Sequence, residues 1–266
     1  MSSNDYVKPV ETPNHGSSVV YRDLVEQELL AQIEQGNYVR SSCHPLVVSP
    51  IGAIKKENVD EVRIIHDGSR PLGEAMNSYG EPQSVRYQTL SEACDLAKTG
   101  FFLSKVDLKA AYRSVPIHCT DYPLTGLKWW FKGEKSPQFL FDVKLPFGSN
   151  AGPSIFSRLT QSVRRMMCRR GFKDLVVYLD DFLIVERTFE RCLEAQNVLI
   201  RLLRDLGFYI SWSKVVGPSR QVSFLGVVID TSSCTLSLDK RKVNKLDDML
   251  LRSNPRSVPV SGNCRA

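Results

Sequence analysis

Three observations predict an α+β fold for this 266-residue chain. Short apolar runs bounded by turn residues read as strands. Stretches with apolar residues three and four apart read as amphipathic helices. The two kinds are interleaved, and hairpin signals dominate among the strands. The expected sheet is antiparallel, rich in hairpins and covered by helices on one side.

The elements follow in chain order. Residues 1–20 look loose. In RDLVEQELLAQIEQ (22–35), Leu24, Val25, Leu29 and Ile33 recur at helical spacing, and Gly36 supplies a stop. LVVSPIGAI (46–54) and EVRIIH (61–66) flank a charged stretch and read as a hairpin with a charged tip. Thr89 and Glu92 form a T-x-x-E capping box for a short helix running to Lys98. FFLSKVD (101–107) reads as a strand ending on an aspartate. Residues 153–170 open with Pro153, stop at Gly171 and place Ile155, Phe156, Leu159, Val163, Met166 and Met167 on one face. LVVYLDDFLIV (175–185) reads as strand, turn, strand. Thr188 caps a helix carrying Cys192, Leu199, Leu202, Leu203 and Leu206, with Gly207 as its stop. VSFLGVVI (222–229) is a further strand, followed by a weak polar helix over 239–252 and an unstructured tail. No internal repeat is visible.

Composition narrows the class of protein. Glycine and proline stand at ordinary levels, which argues against gross disorder. The net charge of +6 suits a polyanionic partner and equally suits a plain basic surface. The seven cysteines (Cys43, Cys94, Cys119, Cys168, Cys192, Cys234 and Cys264) show no CxxC spacing and are odd in number, so neither a disulfide frame nor a zinc knuckle is expected. The first residues hold no apolar signal segment, and no run approaches a membrane span. The expected location is intracellular, in cytoplasm or nucleus, with no secretion and no membrane partner.

The chemistry concentrates in Tyr178-Leu179-Asp180-Asp181, set between two apolar runs. Aspartates are common turn residues. Yet flanking strands this apolar should be buried on at least one face, and two adjacent carboxylates there stay ionised only beside donors or a cation. A hard divalent ion fits carboxylate oxygens. Asp107, at the end of its own strand, joins them if the sheet sets it beside Asp180; three carboxylates can then hold two ions that clamp the oxygens of an in-line phosphoryl transfer.

The ordered set of segments resembles the motifs of reverse transcriptases. SPIGAIKKENVDEVRIIHDGS resembles the fingers hairpin, KVDLKAAYRSVPI the strand with the first metal-binding aspartate, and LPFGSNAGPSIF the nucleotide and template loop with its helix. VVYLDDFLIV resembles the Y-x-D-D hairpin, LLRDLGFYISWSK the segment ending on a conserved-type lysine, and VSFLGVVI the primer grip. The match runs from about residue 22 to 230, and within the family it is most similar to DIRS-type retrotransposons, then to Ty3-type elements.

The resemblance implies a right-hand polymerase: fingers and palm, an antiparallel palm sheet backed by helices, and a truncated thumb. It divides the chain into a flexible N-terminal segment (1–20), fingers (21–88 and 115–151), palm (89–114 and 152–236) and a thumb remnant with a disordered tail (237–266). It implies an RNA-directed DNA polymerase that takes an RNA or DNA template, a nucleic-acid primer and dNTPs, with two Mg2+ ions, for which Mn2+ can substitute. Asp107, Asp180 and the Leu108 carbonyl would bind the metals, with Asp181 as a further ligand or an electrostatic support. Lys214 would be either a general acid for pyrophosphate or a plain helix-exit lysine. Lys56, Arg63, Tyr112, Phe147 and Gly148 would form the nucleotide site, Tyr112 as the aromatic gate against a ribose 2′-hydroxyl, and Phe224, Leu225 and Gly226 the primer grip.

Arg158, Arg164, Arg165, Arg169, Arg170 and Lys173 form the densest basic cluster, either a solvated face or a phosphate contact. Two other readings stand beside the leading one: a degenerate element fragment with little or no activity, and an RNA-dependent RNA polymerase.

Overall fold

The computed structural model describes residues 8–57, 59–80, 84–239 and 243. Its elements run β1 (Val10–Glu11), α1 (Gly16–Val20), α2 (Arg22–Glu34), β2 (Tyr38–Ser41), β3 (Val47–Val48), β4 (Ile51–Lys55), β5 (Val62–His66), α3 (Leu90–Leu96), β6 (Phe102–Asp107), β7 (Gly126–Trp129) and β8 (Gln138–Asp142). They continue as α4 (Gly152–Arg169), β9 (Leu175–Tyr178), β10 (Asp181–Glu186), α5 (Phe189–Asp205), β11 (Val216–Ser219), β12 (Gln221–Phe224), β13 (Val227–Asp230) and β14 (Thr235–Leu238).

A central antiparallel sheet in the order β11-β6-β10-β9 carries the acidic strand ends. β9 and β10 read as nearly unbroken apolar runs because both faces are buried. On one face Val106, Leu175, Val177, Phe182 and Ile184 pack with Phe156, Val163 and Met167 of α4 and Leu199 and Leu203 of α5. On the other, Leu103, Val176, Leu183 and Val185 pack with Ala93 of α3 and with Val222, Phe224 and Ile229 of the small β12-β13-β14 sheet. The expectation of a sheet covered on one side is therefore corrected. The second cover is a hairpin, which a search for amphipathic helices does not find.

A five-stranded sheet, β1-β3-β7-β8-β2, and the β4-β5 hairpin share a second core around Leu29, Tyr38, Ile51, Leu127 and Leu140. Pro50 cannot donate a backbone hydrogen bond, and the run 46–54 breaks there into β3, parallel to β1 and β7, and β4, antiparallel to β5. Residues 8–20 are ordered, not loose: the Val10 N–H donates to the Leu46 carbonyl at 2.8 Å and the Ala53 N–H donates to Ser17 Oγ at 3.1 Å. The run 222–229 is two strands, turned at Leu225 and Gly226, both with positive φ (52° and 82°).

Thr89 caps α3 as expected, its Oγ1 accepting from the Glu92 N–H at 3.3 Å, but the helix ends at Leu96. On α4 the apolar face is narrower than its spacing predicts. Phe156, Val163 and Met167 are buried, whereas Ile155 and Leu159 are exposed beside a surface cleft. The polar helix and thumb remnant expected beyond residue 239 lie almost wholly outside the described residues. No helix among the described residues is long and apolar enough to cross a membrane.

Candidate active site

The acidic hairpin is built by a two-residue turn. Tyr178 pairs with Asp181, so Leu179 and Asp180 alone join β9 to β10. Leu179 takes φ 52°, a left-handed conformation costing about 1–2 kcal/mol for a residue with a side chain. The flanking ladders hold it there. This turn lifts Asp180 out of the strand, so the alternation that would separate two adjacent side chains does not apply. Asp181 lies directly opposite Asp107 in the β10–β6 register, and the Leu108 N–H donates to the Asp180 carbonyl at 3.1 Å. The sheet thus gathers Asp107, Leu108, Asp180 and Asp181 at one end.

Two lysines meet the acids. Lys214 Nζ donates to Asp107 Oδ1 at 3.0 Å and Oδ2 at 3.2 Å. Lys105 Nζ stands 2.8 Å from Asp181 Oδ1, off the line of a hydrogen bond, so that buried oxygen has an ion-pair partner but no hydrogen-bond partner. Lys105 was not singled out in the sequence. It lies two residues before Asp107 on the same strand and therefore on the same face, which is the signal that could have found it.

Burial raises the pKa of Asp180, and the neighbouring Asp107 adds to it against the opposing pull of Lys214 and Lys105. Burial likewise pushes Asp181 up to about 6 in spite of Lys105, with Asp107 again contributing. Burial first, and the neighbouring Asp107 second, thus disfavour ionisation of Asp180 and Asp181. For Asp181 the folded pKa lies above the ordinary value of 3.8, so its stability contribution is complete below that pH and is lost as pH rises through about 6. In chelator, Asp181→Asn should melt higher than the parent at pH 7, with the difference vanishing below about pH 4. Melting curves across pH check this, and a gap that widens on acidification would contradict it.

Among the described residues no three Asp, Glu, His or Cys side chains enclose a metal ion as they stand. The donor set nonetheless fits a hard divalent cation. It is all oxygen, it includes the buried Asp181 Oδ1 with no hydrogen bond, and its charges are short of compensation.

Tyr112 follows on a turn of 3-10 helix (Ala111–Ser114) entered through Ala110, φ 48°. Its ring stacks on Phe147 at 5.1 Å and 23° and tilts against Phe156 at 5.3 Å. Its hydroxyl is pushed up to about 12, chiefly by burial, then by Tyr87 and Asp180, so it is neutral and near the acids.

Gly148, φ 110°, makes its close approach to protein: an added Cβ would sit 1.8 Å from the His66 carbonyl oxygen, at the end of β5. Gly148→Ala should cost on the order of 3 kcal/mol, because backbone faces backbone and neither can yield cheaply. A denaturant midpoint unchanged in that variant would contradict the contact.

The other expected residues lie on other elements. Lys56 pairs with Glu61 on the β4–β5 hairpin, and Arg63 is exposed there opposite Ile54. Phe224 is fully buried in the core, and Leu225 and Gly226 form the turn that follows it. Of the basic cluster, Arg164 donates to the Leu175 carbonyl and Arg170 to the Met166 carbonyl, which are structural duties. Arg158 and Arg165, with Arg86, line an open cleft of about 820 Å³ beside α4.

A family model described as reverse transcriptase (RNA-dependent DNA polymerase) matches residues 54–229, most of the chain. The chain belongs to the reverse transcriptase family. It is 28% identical over 215 residues to the Gag-Pol polyprotein of Walleye dermal sarcoma virus, covering 80% of this chain and 12% of that protein. It is 25% identical over 190 residues to the Gag-Pol polyprotein of Avian reticuloendotheliosis virus, covering 71% of this chain and 16% of that one. The chain thus spans a small part of these relatives. Among solved structures it is similar to the foamy viral protease-reverse transcriptase in complex with dsDNA (TM-score 0.72, 16% identity, 92% of this chain and 47% of that chain). The same protein with an RNA/DNA hybrid gives TM-score 0.70 and 18% identity over 91% of this chain and 30% of that chain. At these identities the likeness establishes the fold, a mixed α+β arrangement shared with reverse transcriptase structures. Reverse transcriptases in general use divalent metal ions.

Proposed function

We propose that this reverse transcriptase domain is the polymerase core of an RNA-directed DNA polymerase, adding dNTPs to a primer 3′-hydroxyl on an RNA or DNA template. The observation that carries the reading is the pairing of Asp107 with Asp181 across β6 and β10, with Asp180 in the turn between β9 and β10.

Asp107, Asp180 and Asp181 would hold two Mg2+ ions, with the Leu108 carbonyl as a further oxygen donor. When bound, the ions would activate the primer hydroxyl and neutralise the departing pyrophosphate. The chain's own groups prepare that site. Burial of Asp180 and Asp181 favours a partner that restores their charge. Lys214 pairs with Asp107 and Lys105 with Asp181, positions that bound ions would take over. Lys214 would then be free to donate a proton near the pyrophosphate. Tyr112 would face the sugar, stacked on Phe147, and Lys56 and Arg63 would grip the triphosphate. Leu225 and Gly226 would touch the primer, and the cleft of Arg86, Arg158 and Arg165 would take strand phosphates.

Within the family we read the chain as nearest to DIRS-type retrotransposons, on DLKAAYRSVPIH, TGLKW, LPFG and YLDDFLIV. We place it inside the cell, with the domain limits given by the motifs.

Primer extension tests the reading: an RNA template, dNTPs against NTPs, Mg2+ against chelator. Incorporation of dNTPs that stops in chelator is expected. Preferential incorporation of NTPs would point to an RNA polymerase, and no incorporation of either to a catalytically silent domain.

A further inference from the structure

Arg113, the neighbour of Tyr112, forms a buried ion pair that no sequence motif announces. Its Nη1 donates to both oxygens of Asp142 at 2.6 Å, and its Nη2 donates to the Tyr38 hydroxyl at 3.0 Å. The Asp142 side chain is 0% exposed and that of Arg113 is 11% exposed. The Lys144 N–H donates to Asp142 Oδ1 at 3.1 Å, and Thr125 Oγ1 donates to the Asp142 carbonyl at 2.7 Å. Asp142 ends β8 and Tyr38 begins β2, so the five-stranded sheet fixes the guanidinium from two strands.

The fixed guanidinium in turn faces two rings, Tyr38 at 5.1 Å and Phe147 at 5.9 Å. Phe147 is only partly buried and belongs to none of the core clusters. It needs another constraint to keep the face on which Tyr112 stacks, and a cation over the ring supplies one. A buried ion pair is a weak source of stability compared with apolar side chains of similar volume. Its geometric definition is what apolar groups would not reproduce.

We propose that Arg113, clamped by Asp142, is a positioning residue for sugar selection: it orients Phe147, and Phe147 sets how far the Tyr112 ring projects toward the nucleotide. This rests on the reading of Tyr112 as the group that meets the sugar.

Single-nucleotide primer extension with the full chain tests it, with kcat/KM measured separately for a dNTP and the matching rNTP. Two variants probe the clamp. Arg113→Lys keeps the charge and loses the planar fork. Arg113→Met with Asp142→Leu replaces the pair by apolar groups, leaving no charge buried alone. In both, the dNTP-over-rNTP ratio should fall at least tenfold, through a rise in rNTP kcat/KM. A merely structural defect lowers use of both nucleotides and cannot raise either. On a Tyr112→Ala background, Arg113→Lys should change the ratio less than twofold, since the gate it positions is gone.

A folded Arg113→Lys enzyme with the parental ratio overturns the inference. If neither Arg113 variant melts cooperatively, Phe147→Leu decides, because it leaves the ion pair in place: a fallen ratio supports the chain of contacts and an unchanged one overturns it. A parent enzyme that adds dNTPs while these ratios stay flat removes this inference alone. A parent that adds neither nucleotide removes the polymerase reading and this inference with it.

Discussion

Asp180→Asn should reduce dNTP incorporation by on the order of 10³-fold or more, equivalent to about 4 kcal/mol of lost transition-state stabilisation. The same variant should make the metal-free protein more stable at pH 7. The sign follows from the site. Burial, reinforced by Asp107, holds the Asp180 pKa above its ordinary value, so the ionised form is disfavoured in the folded chain. Asparagine has nearly the same shape and no charge to desolvate. Loss of activity together with a higher melting temperature in chelator therefore separates a functional role from misfolding. Added Mg2+ should raise the melting temperature of the parent and do so less in the variant, because a ligand that binds only the folded state stabilises it. Incorporation above about a tenth of the parent rate would remove Asp180 from the site.

How much of this was legible in the sequence depends on how local the cause is. The turn at Leu179–Asp180, the cap at Thr89 and the helices α2, α4 and α5 are set by neighbours a few residues apart, and the sequence reads them nearly as built. The strands β2, β7 and β8 escaped notice. Each is four or five residues long, and their sheet is joined up by distant pairings, Tyr38 with Asp142 and Val48 with Gly126. The two-sided burial of the central sheet also hid its faces. With Phe182 and Ile184 turned to α4 and α5, and Leu183 and Val185 turned to the β12-β13 hairpin, no polar alternation remains to read. The same logic covers the site. Asp107 and Asp181 could be foreseen as strand ends, but their ion pairs with Lys214 and Lys105 come from tertiary closure. So does the clamp of Arg113 on Asp142, twenty-nine residues apart.

Tyr112→Ala should lower the preference for dNTPs over rNTPs by on the order of 10- to 100-fold, while Tyr112→Phe should leave it nearly intact. The argument is steric. A gate excludes the 2′-hydroxyl by occupying its space, so it is the ring and not the phenol that discriminates. The phenol is neutral, its pKa held at about 12 mainly by burial, and it has no charge to lend at working pH. The ring is held between Phe147 and Phe156. Truncation to alanine also leaves a cavity beside Phe156 and should cost about 3 kcal/mol of stability. Melting curves must accompany the kinetics for that reason. The deciding quantity is the direction of rNTP kcat/KM, which a destabilised but correctly gated enzyme would lower and an ungated one would raise. If Tyr112→Phe relaxed sugar selection as much as Tyr112→Ala, the hydroxyl would be the discriminating group, and the steric account of this ring would be wrong.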